Sequence, residues 1–233
     1  MDTFDLYKDI QCRTNGEIYL GVVGPVRSGK STFIKRFMDV LVLPYMEDEH
    51  EKARTRDELP QSGSGKTIMT TEPKFVPKEA AVIHLQEDLN LKLRLIDCVG
   101  YMVNGATGHL EENAQRMVKT PWFEEEIPFT HAAEVGTRKV IHEHATIGIV
   151  VTTDGTITEI DREAYLEAER KTIMELQNIG KPFVVLVNSK KPYAKEAQET
   201  AGWLEETYGV RALTVNCEKL KPEDIAKIME TVL

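Results

Sequence analysis

Gly24-Pro25-Val26-Arg27-Ser28-Gly29-Lys30-Ser31, with Thr32 behind it, joins residue types that grip a phosphate chain. Gly24 and Gly29 let the backbone approach an anion where a Cβ would intrude. The N–H groups between them form an anion nest backed by the positive end of the following helix. Lys30 is the point charge for the β- and γ-phosphates, and the Ser31 hydroxyl is a ligand for Mg²⁺. Thr32 falls nearer the α-phosphate. The spacing G-x-x-x-x-G-K-S is that of a P-loop, and its setting agrees. Residues 18–23 read as a buried strand, and Phe33, Ile34, Phe37, Met38 and Leu41 repeat at helical spacing. Nucleotide binding is the expectation.

Two further stretches suit the same chemistry. The apolar run 91–96 ends in Asp97-Cys98-Val99-Gly100. An aspartate there binds Mg²⁺, and the Gly100 N–H is placed for the γ-phosphate. The bland alternative for Asp97 is a helix cap. Thr70 and Thr71 lie in a threonine-rich loop before the second strand, where P-loop switch proteins keep a γ-phosphate sensor. Thr71 then joins Ser31 and Asp97 as a metal ligand. Lys30, Thr70, Thr71 and Asp97 form the expected catalytic set. Gly63-Ser64-Gly65-Lys66-Thr67 imitates the end of a second P-loop, but its first glycine is replaced by Pro60 and no strand precedes it.

The elements that must position these residues alternate. A hairpin joins runs 81–85 and 91–96. Buried strands follow at 145–151, 182–187 and 211–215, with helices at about 33–43, 131–144, 160–178, 194–207 and near the end. Pro44 stops the first helix, and Pro222 falls in the first turn of the last, where proline is tolerated. Alternating strands and helices make a mostly parallel three-layer α/β sheet, whose ligands sit at the strands' carboxyl ends. Lys30, Thr70, Thr71, Asp97 and Asn188 all fall at or beyond such ends. No repeat or linker divides residues 1–233, so one domain is expected.

Composition narrows the classes. The chain has 233 residues and a net charge of −9. That balance argues against a nucleic-acid grip by bulk charge. No apolar run reaches a membrane span, and no signal peptide is read at the N-terminus. Cys12, Cys98 and Cys217 are dispersed, as reduced cytoplasmic thiols are. Residues 46–60 are crowded with charge and read as a solvated helical face. Residues 101–130 read as an irregular, functional or mobile connection, pinned by Trp122 and Phe123. His109, His131, His142 and His144 are read as surface histidines.

The order P-loop, threonine switch, DxxG, then Asn188-Ser189-Lys190-Lys191 after a buried strand resembles the translation-factor-related class of P-loop GTPases. That class places Asn-Lys-x-Asp last, its aspartate accepting two hydrogen bonds from guanine. Here Lys191 stands in that place, and a cation cannot accept them. With GVVGPVRSGKSTFIK, DELPQS, GKTIMTTEPKFVP, DCVGY, KTPWFEE, GTRKVI and TTDGTI, the chain resembles the stage IV sporulation protein A family throughout.

The resemblance implies the N-terminal ATPase domain of proteins about twice as long. It implies ATP and Mg²⁺ as cofactors, with Gly24 to Thr32, Gly100, Asn188 and Lys191 holding the nucleotide. It implies hydrolysis that drives self-assembly of a basement layer of the spore coat on the forespore outer membrane, in the mother-cell cytoplasm. The implied partners are further copies, through domains largely absent here, and coat and membrane-anchoring proteins. Nucleic acid is not among them, and membrane contact is indirect. Two alternatives are a nucleotide-gated polymer subunit with incidental hydrolysis, and a true GTPase of ribosome assembly. Lys191 and the acidic surface disfavour the latter. Tyr101 follows Gly100, where many small GTPases keep a water-orienting glutamine.

Overall fold

In the computed structural model, residues 8, 11–12, 16–60, 72–86, 89–106, 110–111 and 114–232 are described. Ten strands are present among them: β1 (Glu17–Val23), β2 (Lys74–Gln86), β3 (Leu89–Asp97), β4 (Leu110–Glu111), β5 (Ala114–Gln115), β6 (Met117–Thr120), β7 (Phe123–Pro128), β8 (Ile147–Thr153), β9 (Phe183–Asn188) and β10 (Ala212–Val215). The α-helices are α1 (Lys30–Phe37), α2 (Glu49–Glu58), α3 (Phe129–Lys139), α4 (Leu166–Ile179), α5 (Lys195–Tyr208) and α6 (Pro222–Val232).

Six strands form the central sheet in the order β10-β9-β8-β1-β3-β2. Only β2 runs antiparallel, in the expected hairpin with β3; the other pairings are parallel. β8 is buried at every residue, as an interior parallel strand covered on both faces must be. Alternation then splits its side chains between two cores. Ile149 and Val151 join Phe33, Ile34, Phe37, Ile225 and Ile228 under α1 and α6. Val150 joins Val140, Ile173, Leu176 and Leu204 under α3, α4 and α5. The result is the three-layer P-loop NTPase fold. Chain order reverses on either side of β1, so the topological switch point lies at the end of β1, where the P-loop begins.

Two stretches differ from the sequence expectation. After α1, the helical winding continues as a wider π-type turn, Met38–Val42, and then a 3₁₀ turn, Leu43–Tyr45. Pro44 sits at the start of that last turn, where its missing N–H is not needed. The connection 101–130 is more ordered than expected: β6 and β7 form an antiparallel ribbon, with β4 and β5 a short pair before it. Trp122 carries Lys139 of α3 on its ring face, 5.7 Å from the centroid. Phe123 is 42% exposed and only grazes His131, so it is a poor anchor. The charged stretch forms α2, largely solvated as expected and capped by the Asp48 carboxylate, which accepts from the N–H groups of His50 and Glu51.

Candidate functional site

The carboxyl ends of β1, β3, β8 and β9 converge on the loop 24–29. Gly29, at the N-terminus of α1, has a left-handed φ of 100°. A Cβ there would lie 2.2 Å from the Asn188 amide nitrogen, so glycine is required by backbone and by space. Asn188 itself is buried. Its Nδ2 donates to the Ser28 carbonyl at 3.1 Å, and its Oδ1 accepts from the Cys217 N–H at 3.1 Å. One side chain thus ties the phosphate loop to the turn after β10.

Lys30 is 5% exposed. Its Nζ donates to the Pro25 carbonyl at 2.6 Å and to that of Gly24 at 3.5 Å. Burial pushes its ammonium below the ordinary lysine value, against the pull of the nearby Cys98 and Asp97. Burial likewise pushes the Asp97 carboxyl up, opposed by the Lys30 charge and the Ser31 hydrogen bond. A desolvated cation and anion therefore share one small volume, each held against the cost of burial by the other.

Ser31 Oγ donates to Asp97 Oδ2 at 2.8 Å, across the β1 and β3 ends. Asp97 Oδ1 is buried and has no hydrogen-bond partner among the described residues. A buried carboxylate oxygen with spare lone pairs beside a hydroxyl is a hard oxygen donor set. It fits Mg²⁺, which takes one or two protein ligands and fills its remaining positions with phosphate and water. Ser31 and Asp97 are the residues that would hold it. Gly100 closes the other side with a φ of 95°; a Cβ there would lie 2.1 Å from the Gly24 carbonyl and 2.7 Å from Lys30 Nζ.

Thr70 and Thr71, and with them the 63–67 imitation and His109, lie outside the described residues. β2 begins just after that stretch, with Lys74 paired to Asp97.

Tyr101 does not stand at the mouth of the site. Its ring is 2% exposed and its hydroxyl donates to Glu175 Oε2 of α4 at 3.3 Å. Burial, then the Glu175 charge, hold its phenol far above the usual range. Glu175 also takes His142 Nε2 at 2.8 Å and Arg138 Nε at 3.6 Å. His131 and His142 are exposed as expected, whereas His144 is half-buried and lies edge-on to Phe75.

Beyond Asn188, the residues 189–191 are braced by a group the sequence did not single out. Thr156 Oγ accepts from the Lys190 N–H at 3.0 Å and lies 3.5 Å from Ser189 Oγ. Ser189 Oγ accepts from the Lys191 N–H at 3.0 Å. The signal for Thr156 was present as Thr-Asp-Gly-Thr at the end of a buried strand, a turn of hydroxyls at a carboxyl edge. The Lys191 side chain is exposed.

Comparison with known proteins identifies the family of the chain. The family model for the ATPase domain of stage IV sporulation protein A matches residues 1–233. Stage IV sporulation protein A of Bacillus subtilis (strain 168) is 53% identical over 233 residues, all of this chain and 47% of that protein. That of Clostridioides difficile (strain 630) is 54% identical over 229 residues, 98% of this chain and again 47% of the relative. The chain thus spans about half the length of the curated relatives it matches. A solved structure described as SsGBP mutation variant G235S covers 98% of this chain, and this chain 60% of it, at 13% identity and a TM-score of 0.49. The chain belongs to the stage IV sporulation protein A family and corresponds to the ATPase domain of its members.

Proposed function

We propose that this domain binds ATP with Mg²⁺, prefers it to GTP, and hydrolyses it to drive self-assembly of the basement layer of the endospore coat on the forespore outer surface. The observation that carries the chemistry is the meeting of Lys30, Ser31, Asp97 and Gly100 within one buried volume at the switch point. Lys30 exchanges its loop carbonyls for phosphate oxygens, and the nest of loop N–H groups holds the rest of the chain. Mg²⁺, when bound, supplies charge neutralisation across the β- and γ-phosphates. Thr70 and Thr71, which precede the strand that pairs with Asp97, are assigned the γ-phosphate sensing that couples nucleotide state to assembly.

Base choice rests on the loop after β9. Thr156 presents a hydroxyl that is bonded to Asp154 Oδ1 at 2.6 Å, and Lys191 presents only donors, while the buried Ser189 braces the loop from within. Adenine, with an acceptor at N1 and a donor at its amine, suits such a rim; guanine's paired donors meet a cation at position 191, and the Asp154 carboxylate is engaged by the N–H and hydroxyl of Thr156. Assembly partners, coat proteins and the mother-cell face of the forespore are proposed from the family alone.

The deciding measurement is competition between ATP and GTP on the purified domain. ATP is expected to be bound and hydrolysed in preference, and Lys191→Asp is expected to move the ratio of affinities towards GTP by about tenfold or more, within what paired hydrogen bonds to a base confer. A clear preference of the parent domain for GTP would overturn the base assignment. No turnover of either nucleotide would overturn the enzyme.

The buried Tyr101 favours one refinement. A residue turned into the core cannot orient the attacking water, so hydrolysis by the isolated domain is slow. One turnover per assembled subunit identifies a switch, whereas constant turnover after assembly identifies a free-running enzyme.

A further inference from the structure

Backbone gripping of phosphates leaves Arg27 unexplained. It is the only non-glycine residue with positive φ among the described residues, at 61°. A left-handed residue with a Cβ costs about 1–2 kcal/mol, which glycine would avoid. The backbone around it is fixed. Val26 on one side is buried and donates its N–H to the Tyr101 carbonyl at 2.8 Å. Ser28 on the other side is fully buried. Arg27 alone in this turn is exposed, so the fold pins its Cα and leaves its side chain at the mouth of the loop.

That side chain makes no hydrogen bond or ion pair with any described residue. Its charge is felt at the Tyr165 hydroxyl, where burial pushes the phenol up and Arg27 pulls against it. Tyr165 lies with Val26, Tyr101 and Ile160 in the apolar cluster under the loop, and its hydroxyl is 2.9 Å from Thr158 Oγ. Arg27 therefore stands above a fixed wall, beside the phosphate cradle, with its five donors uncommitted among the described residues. The position after Gly100 offers nothing to the reacting phosphate, because Tyr101 is turned onto Glu175. A cation on the phosphate loop does not replace a water-orienting group, but it can act on the other side of the reacting phosphorus, at the leaving oxygen.

We propose that Arg27 is a catalytic residue of the hydrolysis, its guanidinium donating to the oxygen that bridges the β- and γ-phosphates as that oxygen takes up charge. This rests on the ATPase reading above. In the step, water oxygen forms a bond to the γ-phosphorus while the bond from that phosphorus to the bridging oxygen breaks. The electron pair stays on the bridging oxygen, now a terminal oxygen of ADP, and the proton lost by water leaves with phosphate. The bridging oxygen gains negative charge only as the bond breaks, so a cation aimed at it acts on the transition state more than on bound ATP.

The test compares Arg27→Gly, Arg27→Gln and Arg27→Lys with the parent domain and with Lys30→Ala. Glycine relieves the left-handed strain, so Arg27→Gly should melt no lower than the parent, and a folding defect cannot explain its behaviour. Arg27→Gln keeps the length of the side chain and removes its charge. Both should bind a non-hydrolysable ATP analogue within about threefold of the parent and lose turnover by on the order of 10²–10³-fold. Both should also lose affinity for ADP with aluminium fluoride by a similar factor, and Arg27→Lys should fall between.

Parental turnover in Arg27→Gly overturns the proposal, as does an equal loss of analogue binding and turnover, which makes the arginine a ground-state grip. The two readings fail separately. Turnover abolished by Lys30→Ala but kept by Arg27→Gly removes only the arginine's role. A parent domain with no turnover removes the ATPase reading and this proposal with it.

Discussion

Burial governs the single residues around Asp97, and the thiols report it. Cys98 is pushed up to about 11, chiefly by desolvation. Cys217 is pushed further in the same direction for the same reason. Cys12 is exposed. At pH 8 the folded domain should therefore react with a thiol reagent at one site, Cys12, and at all three only in denaturant. Mass mapping of the adducts checks this, and rapid labelling of native Cys98 would refute its burial. The sign of the pH effect follows. The folded value of Cys98 lies above the unfolded value near 9, so its neutral form favours the fold fully below pH 9. That contribution fades as pH rises towards about 11, because the unfolded chain ionises first. Denaturant midpoints taken between pH 8 and 11 should fall, and a Cys98→Ala variant should fall less steeply.

At the scale of elements, Asn188 joins parts far apart in sequence. Replacing it with alanine leaves the Ser28 carbonyl and the Cys217 N–H buried without partners. Chemical denaturation should show a loss of about 2–4 kcal/mol, from two orphaned groups at ordinary cost. Nucleotide affinity should fall with it, since the loop loses a fixed point; unchanged stability would mean that water or a shifted backbone replaces the amide. Asn188 was legible in the sequence as the end of a strand, yet its hold on Cys217 was not, because that contact joins two loops through the sheet's third dimension.

The same distinction runs through the fold. The interior strands were readable because covering on both faces forces continuous apolar runs. The β6–β7 ribbon was not, because β7 is polar and exposed through Glu124, Glu125 and Glu126 and shows no period. The position of Tyr101 was readable as a departure from a motif. Its partner Glu175 was hidden, since nothing in a helical repeat marks which carboxylate turns inward.

For the whole molecule, two cores share the central sheet, one running from Ile18 in the first strand to Val232 in the last helix, the other filling the opposite face. Such continuity predicts a single cooperative transition for the body. The two tryptophans can separate body from ribbon. In a Trp122→Phe variant, Trp203 fluorescence and far-UV circular dichroism should share one midpoint. In a Trp203→Phe variant, Trp122 should change at lower denaturant, because the ribbon is exposed on most of its surface. Two separate midpoints in the first variant would divide the body into independent units.

The β1 and β3 strands do not stop pairing where their regular ladder ends. Pro25 and Tyr101 form a further parallel bridge, and Val26 donates to the Tyr101 carbonyl. The phosphate cradle and the first residues after Asp97 are thereby stitched into one plate. A plate of this kind has no internal pivot, so a change of nucleotide cannot swing Gly100 away from Lys30. The plate continues to the turn at Gly105, where φ is 85°: Ala106 N–H donates to the Val103 carbonyl at 3.2 Å, and both residues are buried with Val26 and Tyr101. Lys30, Gly100 and the Val103–Ala106 turn therefore answer a change of nucleotide as one body.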